Sequence, residues 1–530
     1  MLRILVVVFY LFFTILSSQA QLNTELVAHF PYSQNANDIW GWVSEDGTEY
    51  ALVGLRNGIS IVSLANPNQP VEVAYIPGPN SIWRDLKTWG DYAYVTHDNT
   101  RDEPIGVHII NLSFLPDSVV VTNWMPDLEN LGRLSRCHNL YIDEFGVAYF
   151  SGCDVNNGGI IFADVATEPG QPKYLGKASS RYSHDAYAKD NLLFSSDIYD
   201  GNLTIFDVSD KSNPILLASQ RTPFAFTHNA WATPDNKYVF TTDERANAPV
   251  TAYDISDLEN IQLLDEFRPQ ATLNQGVIPH NVHVIDNYLA ISHYTDGLVI
   301  VDASYPKILV EVANYDTFTG QSGGFNGAWG AYPFLPSGLV LVTDITNGLF
   351  VVRPQYKRAS FLEGKVTDAI TGEVIANVRI FIKKEETQTI STNLKGEFST
   401  GFEAEGNYTV TFIAEGYISQ TVQVVLESGN IKILNIALES RLTTTQDIDN
   451  SLFSLQIAPN PFQHTTFITV NSENQHLPFT ISIRNILGQT LLKVKNNQLT
   501  IQENDLPKGF YVVDVELDNR LVARQKMVKE

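Results

Sequence analysis

From residue 22 to about residue 355, short runs of β-branched and aromatic residues alternate with Gly, Asn, Asp and Pro, and almost no segment repeats its apolar positions at helical spacing. One phrase recurs: a turn residue, a continuous apolar run, then Asp or a substitute. Gly297-Leu298-Val299-Ile300-Val301-Asp302 and Asn202-Leu203-Thr204-Ile205-Phe206-Asp207 are clear copies. The residue closing the phrase is Ser63, Asn111, Asp164, Asp207, Asp254, Asp302 and finally Arg353, with separations between 43 and 53 residues. Each period holds four short β-runs; the third has Asn139–Ile142, Val147–Ser151, Gly159–Asp164 and Lys173–Gly176. Four-stranded meanders repeated at this spacing predict a β-propeller, here with seven blades.

The seventh copy ends at Pro354 after three β-runs. A fourth is available at the start of the chain, where Glu25–Pro31 matches the outer-strand phrase Glu72–Pro77 and both precede an Ile-Trp pair, Ile39-Trp40 and Ile82-Trp83. The expectation is that this segment completes the last blade, which removes exposed strand edges.

A second phrase stands at the start of each innermost strand. It reads Trp83-Arg84-Asp85, Cys137-His138-Asn139, Ser183-His184-Asp185, Thr227-His228-Asn229 and Pro279-His280-Asn281, with Trp40-Gly41-Trp42 before them and Phe325-Asn326-Gly327 after. Aligned this way, the channel mouth carries Gly41, Arg84, His138, His184, His228, His280 and Asn326. Four converging imidazoles are candidate ligands for a divalent metal in the channel, because neutral His binds Zn, Mn, Fe or Cu. Asp85 and Asp185 are candidates to orient those rings or contact a ligand, and Arg84 to clamp a carboxylate. Trp83, Trp231 and Trp329 offer aromatic faces for sugar or peptide. The alternative is a hydrogen-bonded network that sets blade spacing.

The net charge of −24, with no Lys/Arg run, disfavours nucleic acid and anionic membranes as partners. Residues 1–20 read as a signal peptide: Arg3, an apolar stretch from Ile4 to Leu16, and small Ser18 and Ala20 before the cleavage point. No later apolar run reaches spanning length, so no transmembrane segment is expected in the mature chain. Export permits a disulfide between the only cysteines, Cys137 and Cys153, which stand symmetrically about the turn-like Phe145; buried free thiols are the other reading.

The phrase ending at Asp302, with Trp83–Thr88, His138–Asp143 and Phe325–Pro333, resembles the LVIVD-repeat proteins and the choice-of-anchor B family over about residues 22–355. That resemblance implies an exported protein attached through varied C-terminal modules, and no settled activity.

Residues 360–439 turn to short alternating strands. Leu362–Asp368, Thr371–Val378, Thr392–Phe398, Tyr408–Phe412 and Gly416-Tyr417 are similar to a carboxypeptidase regulatory-like domain, a transthyretin-like β-sandwich. Polar residues 440–452 read as a linker. Residues 453–530 contain Ile457–Phe462, Ile483–Gln489, Lys508–Val513 and a terminal Gln525–Glu530, similar to the type A sorting domain of the type IX secretion system of Bacteroidetes. This implies handling by that machinery, then surface attachment or release.

The fold expected is therefore all-β: a seven-bladed propeller followed by two small β-sandwich domains. No nucleophile elbow, phosphate-binding loop or dinucleotide fingerprint occurs. The function expected is a binding or scaffold module for an extracellular protein or carbohydrate. The alternative is a metal-dependent lyase or hydrolase on polysaccharide that uses the histidine ring.

Overall fold

A computed structural model describes residues 21–99, 104–441, 453–472, 479–517 and 520–530; the expected signal peptide and most of the linker lie outside these. The described chain is all β, with a single 3-10 turn at Asn156–Gly158. No helix among the described residues is long and apolar enough to cross a membrane.

Seven sheets of four antiparallel strands follow one another along the first part of the chain. Blade 1 runs Ala36–Val43, Glu49–Leu55, Gly58–Ser63 and Val71–Pro77, from innermost to outermost. The innermost strands of blades 2 to 7 are Leu86–Trp89, Asn139–Ile142, Asp185–Lys189, Thr227–Ala232, Asn281–Ile285 and Ala328–Tyr332. Each lies against the next, and Ala328–Tyr332 returns to Ala36–Val43, so the sheets close into a ring.

The outer strand of blade 7 is Thr24–Phe30, paired antiparallel with Gly348–Pro354. Just before it, Gln21 and Leu22 pair with Tyr315 and Asn314, adding a fifth strand to blade 6. One N-terminal segment thus ties two neighbouring blades. Thr24–Phe30 also carries a register shift between Leu26 and Ala28, and the outer strands of blades 1, 3, 4, 5 and 6 have the same kind of irregularity. Such bulges sharpen strand twist, which blades radiating from one axis require.

The repeated phrase now has a physical reading. The third strand of each blade is covered on both faces by neighbouring blades, so Leu298–Asp302 is wholly buried and reads as unbroken apolar sequence. The Asp that closes the phrase accepts the backbone N–H two residues on: Asp207 from Ser209, Asp254 from Ser256 and Asp302 from Ser304, at 2.8–2.9 Å. The carboxylate shapes the turn into the outer strand. Arg353 stands in its place in blade 7, where no such turn follows. The outer strand Ile215–Arg221 faces solvent, whereas that of blade 6, Val310–Tyr315, is largely buried.

Beyond the propeller, Ser360–Asp368 pairs with Glu397–Phe402 and, in parallel, with Ile431–Ile433 and Ile436–Leu438. A second sheet has the order Thr387–Ser391, Arg379–Lys383, Gly406–Ile413, Gln420–Leu426. Phe361 and Ile431 belong to the same apolar cluster as Ile308, Val310 and Ala359. The last module is a three-stranded and a four-stranded sheet around Ile468, Ile481, Ile483, Val513 and Met527. Its buried Asp514 accepts from Arg524 and lies 3.3 Å from Nε of Arg484.

A histidine row at the channel mouth

Hydrogen bonds between adjacent blades fix which residues are equivalent. In four blades a hydroxyl at the end of the second strand donates to the carbonyl of the next blade's mouth residue: Thr96 to His138, Ser151 to His184, Thr242 to His280 and Thr343 to Asn37. The strand registers agree. Asn229 pairs with Thr242, Asn281 with Ser292 and Gly330 with Thr343, so Trp329 occupies the place of His228 and His280. The mouth ring is therefore Asn37, Arg84, His138, His184, His228, His280 and Trp329. This corrects the sequence alignment in two blades. Gly41 pairs with Ala51 deeper in its strand, and Asn326 lies exposed in the preceding loop. The Ile-Trp pairs differ as well: Ile39-Trp40 lies within a strand and Ile82-Trp83 in a loop.

Beneath the mouth lies a polar layer of Asp38, Asp85, Asn139, Asp185, Asn229, Asn281 and Gly330. Asn229 donates to Asp185 at 2.8 Å and accepts from the Val282 N–H at 3.0 Å, while Asp185 accepts the Ala186 N–H. Two residues further along each strand come Trp40, Lys87, Tyr141, Tyr187, Trp231, His283 and Tyr332. Trp231 packs against Tyr187 and His283 with ring centroids 4.5 and 4.7 Å apart, and Trp40 against Tyr332 at 4.8 Å. This aromatic plug closes the channel. Lys87 is the charged member, bonded to Asp85, 3.6 Å from Asp38 and over the Trp40 ring.

At the mouth, the imidazoles of His138, His184, His228 and His280 follow one another at centroid spacings of 4.2, 4.3 and 4.4 Å. They line a cavity of about 20 Å³ together with Asp38, Trp83, Arg84, Asp85, Asn139, Asn281 and Trp329. Nδ1 of His138 is 3.0 Å from Asp98 at one end of the row. At the other end, Glu244 Oε1 lies 4.0 Å from His228 Nε2 and 3.9 Å from His280 Nε2, and it accepts the Tyr294 hydroxyl at 2.6 Å.

Burial, then the neighbouring His138 and His280, holds the His184 imidazole well below its ordinary pKa, and burial with His184 does the same to His228. Burial lowers His280 to about 4 against the pull of the Trp329 carbonyl. These rings are neutral at pH 7. Burial raises Glu244 and, with Asp85 nearby, raises Asp38 well above the carboxylate range and Asp185 to about 6.

The remaining predicted residues separate. Trp83 is 41% exposed at the rim, its ring 6.0 Å from His138. Arg84 is buried and donates to the carbonyls of Leu55 and Pro79. Asp185 is in the polar layer and Trp231 in the plug, below the cavity. Cys137 and Cys153 form a disulfide with S–S 2.08 Å, tying the strand start that carries His138 to the loop after the same blade's second strand. Glu244, Asp98, Tyr294 and Lys87 were not singled out from sequence. The first three follow second strands, whose ends share a rim with the starts of the first strands, and that antiparallel geometry is the signal that would have found them.

Comparison with known families gives three matches. An LVIVD-repeat model matches residues 198–222 and 279–317, a carboxypeptidase regulatory-like domain residues 362–439, and a secretion system C-terminal sorting domain residues 456–530. No curated protein matches. Among solved structures, the β-propeller domain of Cps50 (Swd1) from Myceliophteria thermophila is similar over 62% of this chain and 98% of its own, with 10% identity and a TM-score of 0.43. The chain is a β-propeller protein with LVIVD repeats and a carboxypeptidase regulatory-like domain, carrying the sorting tail of proteins secreted by, or attached to the outer-membrane surface through, the type IX system.

Proposed function

We propose that the propeller is an extracellular binding module whose mouth face takes up an acidic carbohydrate. The supporting observation is a segregation of cations. Among the described residues, the propeller loops at the histidine end contain Arg56, Arg84, Arg136, Arg181, Arg245 and Arg268 and no lysine, with Arg133 and Lys177 lying in strands there. The loops at the opposite end contain Lys211, Lys237 and Lys307 and no arginine, with Lys189 and Arg353 lying in strands there. A planar guanidinium matches a carboxylate in two bonds and stacks on rings, which an ammonium does not. The exposed Arg245 guanidinium lies 3.9 Å over the Phe226 ring, which holds the cation at the rim. Arg136 and Arg181 are engaged with Asp154, Asp197 and Asp200, so Arg245 carries most of the reading. Exposed Trp83, Tyr199, Phe224 and Phe325 supply flat apolar faces on the same rim, suited to sugar C–H surfaces.

The test is affinity electrophoresis of the purified chain in gels containing a polyuronate or a neutral glucan. Retardation by the polyuronate alone is expected, weakening with salt and lost in Arg245→Ala and Trp83→Ala. Equal mobility in both gels would remove the proposal. The second reading, a metal-dependent lyase or hydrolase, is favoured by the grouping of His228, His280 and Glu244. It is told apart by new reducing ends or unsaturated products when polymer and protein are incubated together.

A further inference from the structure

We infer that the blade 5–blade 6 end of the histidine row is a metal site, built for Zn²⁺ or a similar divalent transition ion. The ligands are Nε2 of His228, Nε2 of His280 and Oε1 of Glu244. This assignment is independent of what covers the face above.

The distances come first. The carboxylate oxygen stands 4.0 and 3.9 Å from the two nitrogens, and the three atoms lie within 4.8 Å of one another. These separations exceed a hydrogen bond, so the atoms face each other across a gap. An ion with bonds of ~2.1 Å holds ligand pairs between ~3.4 Å apart, at the tetrahedral angle, and ~4.2 Å apart when opposed. Both carboxylate–nitrogen gaps fall in that interval, and the two nitrogens lie within 4.8 Å of each other.

Hydrogen bonds aim two of the three ligands, while the buried Nδ1 of His228 has no hydrogen-bond partner among the described residues. Nδ1 of His280 meets the Trp329 carbonyl, which only accepts; the proton therefore sits on Nδ1 and the Nε2 lone pair faces the cavity. The Tyr294 hydroxyl holds Oε1 of Glu244. An imidazole anchored through its far nitrogen and a carboxylate anchored by a donor are the usual outer supports of a metal ligand set.

The cavity of about 20 Å³, lined by His228 and His280 with His138, His184, Asp38 and Asp85, has room for one ion or one water on the nitrogen side of the site. The His184 ring is the next in the row, 4.3 Å from that of His228 by centroids.

The full secreted chain, stripped with chelator and dialysed against micromolar Zn²⁺, is expected to retain one equivalent by elemental mass spectrometry. Co²⁺ loading should give the visible absorption of a four- or five-coordinate ion. Glu244→Gln should weaken binding by roughly a hundredfold and Tyr294→Phe by roughly tenfold. Folded wild-type chain that retains no ion would overturn the site, as would a Glu244→Gln variant with unchanged affinity and Co²⁺ spectrum. Should His228→Gln fail to fold, the wild-type Co²⁺ spectrum and the two conservative variants still decide.

Discussion

Gly41 lies directly beneath the ring of Tyr332: a Cβ placed on it would stand 2.1 Å from Cε1 of the tyrosine. The contact joins blade 1 to blade 7, where the ring closes, and Tyr332 in turn packs on Trp40 and Phe334. Gly41→Ala is expected to force the tyrosine off its position in a dense plug, at a cost of about 1–3 kcal/mol. Urea denaturation of the purified chain measures it. An unchanged midpoint would show that the plug yields.

How much of this was legible in sequence follows from where residues repeat. Leu298–Asp302 was legible because burial on both faces leaves an unbroken apolar run, and the Asp recurs because each outer turn needs an acceptor. The row His138, His184, His228 and His280 was legible because each stands just before an Asn or Asp at one register. Asn326 and Gly41 were misaligned because Phe325-Asn326-Gly327-Ala328-Trp329 imitates the phrase around His228, whereas the register shift after Ala328 puts Trp329 itself in the ring. Glu244 escaped because it follows a second strand, and its position is a carboxylate in only one other blade, as Asp98 two residues after Thr96. Lys87 escaped because six of the seven plug positions are aromatic, and its purpose depends on Asp38 from another blade.

Lys87→Met tests that charged plug residue. The change leaves Asp85 and Asp38 buried without their cation, and breaking a buried pair from one side costs about 3–5 kcal/mol. Asp38 already has a raised pKa, from burial and then Asp85. A raised carboxyl costs stability above its unfolded value, and the cost is full once pH passes the folded value. The deficit of Lys87→Met should therefore be smaller at pH 5 than at pH 8. Denaturation at both values checks this, and a further Asp38→Asn change should recover part of the loss at pH 8.

Glu311, in the outer strand of blade 6, gives a cleaner pH signature. Burial, then Asp296, raises it to about 7. Between its unfolded value near 4.5 and 7 the folded chain binds the extra proton, so stability attributable to this group falls as pH rises through that window. Glu311→Gln removes the dependence. The variant should match wild type at pH 4 and exceed it by roughly 2–3 kcal/mol at pH 8. Thermal melts across the range measure the difference, and parallel curves would mean Glu311 stays charged and solvated.

The disulfide bears on the mouth directly. Cys137 precedes His138, and Cys153 lies in the loop after the strand that pairs with His138's own, 16 residues further along. Closing a loop of that length limits the unfolded chain and is worth about 3 kcal/mol. Cys137→Ser with Cys153→Ser should lower the midpoint accordingly. It should also loosen the His138 segment, which the Asp98 contact, the Thr96 hydroxyl and the backbone bonds of Cys137 to His97 and of His138 to Ser151 would then hold. Hydrogen exchange reads both effects: protection should fall first at residues 137–140 and 151–153, while the strand Thr227–Ala232 across the channel keeps its wild-type rate. Uniform loss over all blades would instead make the bridge a brace for the whole ring.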